Sequence, residues 1–388
     1  MNVPSDDLWR DVASQWAIRA DTTYLNHGSF GPAPRPVRLA RQRWQEQLDA
    51  QPMDFFVRQY EPAWQTARSA LAEFVHASSD DLVFVENATA AMNVVARSVA
   101  LRTGDEVLMT DHVYGAVERI WDAACRRSGA RRVTVELPRP IEAEEQIVSA
   151  IEGAISESTR LLVVSHVTSA TAVIFPIEAI CRAAADRGVP VCVDGPHAPL
   201  HVPLDLTRLQ SAFYTASCHK WLCAPFGSGF LYVDRRLQEQ VEPAAVSWGR
   251  LLPAVPRRWD EQFIWSGTRD PSAFLSVPAA IEFFTNVGIQ RVRARMYQLA
   301  DYARTRLLEA LGTDTLAPAR PGWYGAMAHV RLADGDAPSL QRQLWNEYGI
   351  EVPIVQWHGQ RYVRVSCHLY NMHEQIDKLV DALWHHAR

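Results

Sequence analysis

Lys220 is one of only two lysines in the 388-residue chain, whose other fixed cations are all arginine. It lies in Thr215-Ala216-Ser217-Cys218-His219-Lys220-Trp221, bracketed by hydroxyls, a histidine and an aromatic ring. Arginine can replace lysine in most surface roles, but only a lysine amine, best when desolvated, condenses with an aldehyde to a Schiff base. Lysine kept at this position, against so strong an arginine bias, points to a chemical role. Lys378, at helical spacing in a polar C-terminal stretch, reads as an ordinary exposed lysine.

A lysine that works through an aldehyde cofactor needs an acid at the ring nitrogen, a phosphate cradle and a clamp for the substrate carboxylate. Asp194 closes the apolar run Val189-Pro190-Val191-Cys192-Val193 and is followed by Gly195-Pro196-His197, which puts a carboxylate at the carboxyl end of a strand. Asn87-Ala88-Thr89 falls between a strand and a helix, where free amides and the Thr89 hydroxyl suit a phosphate dianion. Alone, the first is also a common turn aspartate and the second a common N-cap. With Lys220 one strand after Asp194, they form a set.

The elements that must position this set alternate from about residue 80. Short β-branched runs at 82–85, 106–109, 132–135, 161–165 and 189–194 are separated by amphipathic helical stretches. Near-continuous apolar strands alternating with helices predict a mostly parallel, seven-stranded sheet covered on both faces, with ligands beyond the carboxyl ends of its strands. Residues 211–215 and 229–233 read as paired strands flanking the lysine turn, and a long helix is expected from Pro278 past Leu308. The remainder reads β, α, β, β, α, with one strand over 350–355. Three segments are expected: residues 1–55 packing on the small domain, a large domain over 56–272, and a small α+β domain over 273–388.

A net charge of −5 and a pI near 6.2 provide no electrostatic footprint for nucleic acid or an anionic membrane. The acidic N-terminus lacks the basic start and apolar run of a signal peptide, and no stretch reaches the length of a membrane span. A soluble cytoplasmic protein acting on a small molecule is the expectation. Cys125, Cys181, Cys192, Cys218, Cys223 and Cys367 are scattered through core segments, as reduced buried thiols are, and no metal-ligand spacing accompanies them.

Taken together and in order, Asn87-Ala88-Thr89, Ser165-His166-Val167, Asp194-Gly195-Pro196-His197, Ser217-Cys218-His219-Lys220, Gly267-Thr268 and Arg364-Val365-Ser366 through Tyr370-Asn371 resemble the class V aminotransferases, pyridoxal phosphate enzymes of fold type I. The stretch Tyr24 to Gly31, the triplet Tyr114-Gly115-Ala116 and Glu351-Val352-Pro353 resemble the isopenicillin N epimerase and C–S lyase branch. The resemblance implies pyridoxal 5'-phosphate held by Lys220, which would also move the Cα proton, with Asp194 at the ring nitrogen and His197 at the ring hydroxyl. It implies Ala88, Thr89, Ser217 and His219 at the phosphate, and Thr268 reaching the phosphate of a second subunit in a homodimer with a shared active site. Tyr114, or else His112, would stack on the ring. Ser169 stands where desulfurases carry an asparagine near the ring hydroxyl and substrate. Arg364 would clamp the carboxylate of an amino-acid substrate in a bidentate fork, with Asn26, His27 and Trp357 on the substrate side.

Desulfurases carry a nucleophilic cysteine shortly before that arginine, and residues 353–360 contain none. Persulfide chemistry is therefore not expected. β-Elimination needs one base and a leaving group such as a thiolate, whereas epimerisation wants a second acid, for which Tyr24, His27, Tyr114 and His358 are the candidates. A C–S lyase of specialised metabolism, cleaving a bulky cysteine S-conjugate, is the first expectation; an epimerase or an aminotransferase is the alternative. Trp248, Trp259, Trp265, Trp323, Tyr324 and Trp357 would either give the substrate side an aromatic character suited to a bulky conjugate or pack the domain interface.

Overall fold

The computed structural model describes residues 6–250 and 255–386. Its strands are β1 (Thr23–Tyr24), β2 (Leu82–Val85), β3 (Glu106–Thr110), β4 (Arg131–Val135), β5 (Thr159–Ser165), β6 (Val191–Asp194), β7 (Phe213–Ser217), β8 (Gly229–Val233), β9 (Met327–Leu332), β10 (Ile350–Glu351), β11 (Ile354–Trp357) and β12 (Gln360–Ser366). Seven of them form one sheet in the order β2-β8-β7-β6-β5-β3-β4, parallel except for β8, which runs against both neighbours.

The period-two rule explains why both faces of this sheet are covered. Val83, Val107, Met109, Leu161, Val163, Cys192 and Leu231 point to one apolar cluster. Their neighbours Leu82, Phe84, Leu108, Leu162, Val164, Val193 and Phe230 point to the other. Each such fully buried side chain contributes roughly 1.5–3 kcal/mol through removal of apolar surface from water. A sheet held this rigidly fixes its strand ends, and Ser165, Asp194 and Ser217 are the last residues of β5, β6 and β7.

The small sheet is antiparallel, β11-β12-β9, and carries Arg364 on its central strand, opposite His329 of β9. The N-terminal segment joins both parts. β1 pairs in parallel with β10, and Asp6 bonds Arg295 and His373, whereas the Gln45 amide donates to the Asp270 carboxylate at 2.9 Å. Two expected elements are divided. The strand read over 350–355 breaks at Val352-Pro353, its first half pairing with β1 and its second with β12. The long helix breaks at Gly288, φ +95°, into Val277–Val287 and Ile289–Leu311. Only a residue without Cβ adopts that φ cheaply. Among the described residues no single helix is long and apolar enough to cross a membrane.

Candidate active site at the strand ends

Lys220 lies in the loop 218–228 that turns the chain from β7 into β8, and its Nζ lies 3.2 Å from His197 Nε2. The turn is held from behind. His27 Nε2 donates to the Lys220 carbonyl at 3.1 Å, and His368 Nε2 to the Trp221 carbonyl at 3.2 Å. These rings stack 4.1 Å apart, with Cys223 beside them. The three side chains cluster as metal ligands can. Each Nε2 nevertheless faces a carbonyl oxygen, which only accepts, so both carry protons rather than offering lone pairs to an ion. Gly31 permits the close approach, since a Cβ there would sit 2.1 Å from the Lys220 carbonyl oxygen.

Asp194 is buried at the end of β6, and among the described residues its carboxylate accepts one hydrogen bond, from the Thr215 hydroxyl at 3.3 Å. Burial pushes its carboxyl up to about 6, against the opposing pull of Lys220 and of that hydroxyl. Burial, joined by the Arg364 charge, brings the Lys220 amine down to about 8, although Asp194 works the other way. The amine is thus substantially neutral in mildly alkaline solution, as nucleophilic attack on an aldehyde requires. Burial lowers the Arg364 guanidinium to about 10, with the Tyr114 phenol opposing the shift.

Arg364 is fixed on several sides. It donates to the Ser169 carbonyl at 2.6 Å and hydroxyl at 3.3 Å, to Ser29 Oγ at 3.0 Å and to Asn26 Oδ1 at 3.4 Å, and its Nε is buried without a partner. Asn26 in turn donates to Glu351 at 3.0 Å. Ser29, which lies in the Tyr24–Gly31 stretch, has no expected role from sequence, and its hydroxyl is placed at the guanidinium only by the fold. At the other end of the site, the Ala88 amide at the start of the helix Ala88–Ser98 donates to Ser217 Oγ at 3.1 Å, and Asn87 caps Ala90 at 2.9 Å. His219 Nδ1 donates to the Ser228 carbonyl at 2.8 Å.

These groups surround one cavity of about 330 Å³, whose wall includes Ala88, Thr89, Tyr114, Ser169, Asp194, His197, Ser217, His219, Lys220 and Arg364. A larger depression of about 990 Å³, bordered by Glu73, Glu178, Arg182 and Arg293, shares none of them. Chemistry rather than size marks the site.

Four expected residues stand off this wall. His27 is wholly buried behind the lysine turn, and Asn26 borders an adjoining groove. Trp357 donates to the Asp111 carbonyl at 3.2 Å and packs on His112, which is itself buried and bonded to Thr171 at 2.7 Å. Thr268 is exposed, next to Arg269, which pairs with Glu86. Of the four candidates for a second acid, only Tyr114 lines the cavity: Tyr24 donates to the Phe30 carbonyl at 2.7 Å, and His358 pairs with Asp111 at 3.1 Å.

Of the two readings of the tryptophans and Tyr324, the aromatic substrate wall is not borne out. None of the tryptophans, nor Tyr324, lines the cavity. Trp259 donates to the Asp80 carbonyl, Trp265 packs on Phe56, Trp323 and Tyr324 are buried, and Trp248 is exposed. The phenyl and phenol rings on the cavity wall are instead Phe30 and Tyr114, Phe30 meeting Phe226 edge-on at 6.4 Å.

A family model for class-V aminotransferases matches residues 33–379. An isopenicillin N epimerase of Amycolatopsis lactamdurans is 37% identical, over 97% of this chain and 98% of its own length. A putative L-cysteine desulfhydrase 1 of Oryza sativa subsp. japonica is 31% identical over 96% of this chain and 86% of its own. Among solved structures, the cystine C-S lyase C-DES in complex with its product cysteine persulfide superposes with a TM-score of 0.82 at 22% identity, covering 94% of this chain and 98% of that one.

The residues present fit pyridoxal phosphate. A buried carboxylate with a single hydroxyl partner is costly unless a cation meets it, and a protonated pyridine nitrogen is such a cation. The helix start at Ala88 with Ser217 and His219 suits a phosphate, and the lowered amine of Lys220 suits the aldehyde.

Proposed function

This chain belongs to the class-V aminotransferases and is a pyridoxal phosphate enzyme of amino acids, and from that premise we propose that it cleaves the C–S bond of a bulky cysteine S-conjugate by β-elimination. The cofactor supplies, when bound, the electron sink that makes a substrate Cα–H acidic. Lys220 takes that proton on Nζ, where an amine lowered to about 8 is matched to near-neutral proton transfer. The Cβ–S bond then breaks, its electron pair leaving on sulfur, and the released enamine takes up water to give pyruvate and ammonium.

Arg364 holds the substrate carboxylate, and Ser169 and Ser29 keep the guanidinium aimed. Asp194 would hold the ring nitrogen protonated, His197 would meet the ring hydroxyl, Tyr114 would cover the ring, and Ala88, Thr89, Ser217 and His219 would bind the phosphate. Thr268, exposed and off the cavity wall, suits the phosphate of a second copy in a homodimer.

The observation that carries elimination is the make-up of the cavity and its mouth. One amine base stands opposite one carboxylate clamp, and Phe30 borders both this cavity and a groove of about 530 Å³ lined by Ile18, Tyr24, Pro32, Phe226 and Trp345. A long apolar sulfur substituent has a place to lie there, as a free thiol would not need. The relative named for L-cysteine desulfhydration supports the same reading. Epimerisation is the second reading, favoured by Tyr114 on the cavity wall and by the epimerase relative.

Incubating the holoenzyme in D2O with cysteine S-conjugates of increasing aromatic bulk separates the two. Equal amounts of thiol, pyruvate and ammonium are expected. Recovery of the conjugate deuterated and inverted at Cα, without pyruvate, would reject elimination.

A further inference from the structure

Trp221, the residue after the lysine, is wholly buried, and its Nε1–H donates to His197 Nδ1 at 3.2 Å. An indole nitrogen can only donate. Nδ1 of His197 must therefore accept, and in the neutral ring the proton resides on Nε2, the atom 3.2 Å from Lys220 Nζ. The indole cannot turn away, because the His201 ring lies against it at 4.4 Å, tilted by 33°. His201 is fixed as well. Its Nε2 accepts from the Ala326 amide at 2.5 Å, so its Nδ1 carries the proton and donates to the His197 carbonyl at 2.8 Å. Gly325 leaves room for that ring, since a Cβ would stand 2.2 Å from His201 Nε2.

We propose that Trp221 is a positioning residue that locks His197 in its Nε2–H tautomer, so that the lysine amine always faces a donor. A donor facing the amine favours its lone pair and hence its neutral form. Without the indole, His197 can move its proton to Nδ1 and accept from an ammonium through Nε2, which favours the charged form. The inference rests on Lys220 as the reacting amine. The other charged and titratable groups acting on this pair are Asp194 and Arg364 on Lys220, and Arg364, His201 and His27 on His197. None of them is itself removed when Trp221 is changed, and Phe keeps a ring for His201 and His27 to pack on.

The test is the pH dependence of competitive acylation of Lys220 in the full-length, cofactor-free chain, read by peptide mass with Lys378 as internal reference. Trp221→Phe keeps an aromatic filler and is expected to raise the Lys220 midpoint by about one pH unit. In a His197→Gln background, where no tautomer exists to lock, the same change is expected to move nothing further. An equal shift in both backgrounds, or none in either, would overturn the proposal. Should Trp221→Phe fail to fold, 15N spectra of the wild-type protein decide, with His197 assigned by its loss in His197→Gln. A proton on Nε2 is expected, and a proton on Nδ1 would refute the lock. Failure of Lys220 to bind cofactor would leave these tautomer readouts intact, so the two failures are distinguishable.

Discussion

The guanidinium of Arg364, on the small sheet, donates to the carbonyl oxygen of Ser169, beyond the end of β5, at 2.6 Å. The clamp is therefore aimed before any substrate arrives, and the contact also ties the two domains together at the site. Preorganisation of this kind reduces the ordering cost of binding.

Arg364→Lys tests whether the fork itself matters. A lysine keeps the charge but cannot satisfy Ser169 and a bidentate carboxylate together. We expect kcat/KM to fall about 100-fold or more, with the loss seen chiefly in KM. Steady-state kinetics on the cleaved conjugate would show it, and an unchanged KM would remove Arg364 from the substrate site.

Gly31→Ala drives a methyl group into the Lys220 carbonyl, with which it would share only 2.1 Å. Backbone must move, and the bond from His27 to that carbonyl is lost or lengthened. A destabilisation of about 1–3 kcal/mol is expected from the overpacking, together with weaker cofactor retention. Thermal melting and cofactor titration measure the two effects separately.

The lowered Lys220 amine predicts a pH profile for cofactor uptake. An ordinary lysine titrates near 10.4 and would leave uptake rising across the whole neutral-to-alkaline range. Here the neutral, reactive form takes over as pH rises through about 8, so the uptake rate is expected to climb to that point and then level off. Stopped-flow mixing of cofactor-free enzyme with pyridoxal phosphate gives the curve. A rise continuing unbroken to pH 10 would contradict the shift.

Asp260 is buried against Arg68, also buried, and accepts from Arg258 at 2.6 Å. Asp260→Ala leaves the buried Arg68 cation to the more distant Asp80 carboxylate at 3.7 Å, and a loss of about 3 kcal/mol in unfolding free energy is expected. The exposed Asp7–Arg10 pair is the control, because Asp7→Ala should cost under about 1 kcal/mol. Denaturant unfolding compares them.

Lys220, Asp194 and the sheet around them were readable from sequence because each has a local cause. A strand end is bounded by its apolar run, and a lysine amid arginines is conspicuous. Arg364 was identified by its motif. What escaped depends on contacts between distant segments. The pairing of Thr23–Tyr24 with Ile350–Glu351 leaves no periodic trace in either stretch, so the break after Glu351 was invisible. The tryptophans stay open from sequence because a domain interior and a cavity wall select the same bulky residues, and only the fold says which is which. The Trp221–His197–His201 chain was hidden for the same reason. Its members are close in sequence, yet the direction of the bond from His201 to His197 is set by the Ala326 amide arriving from the small domain.

Everything in the proposed chemistry begins at Lys220 Nζ. Borohydride treatment of the holoenzyme, followed by proteolysis and mass mapping, fixes the cofactor wherever an amine holds it. With only two lysines the result is unambiguous. The cofactor mass is expected on the peptide containing Lys220; its appearance on the Lys378 peptide, or on neither, would contradict the account.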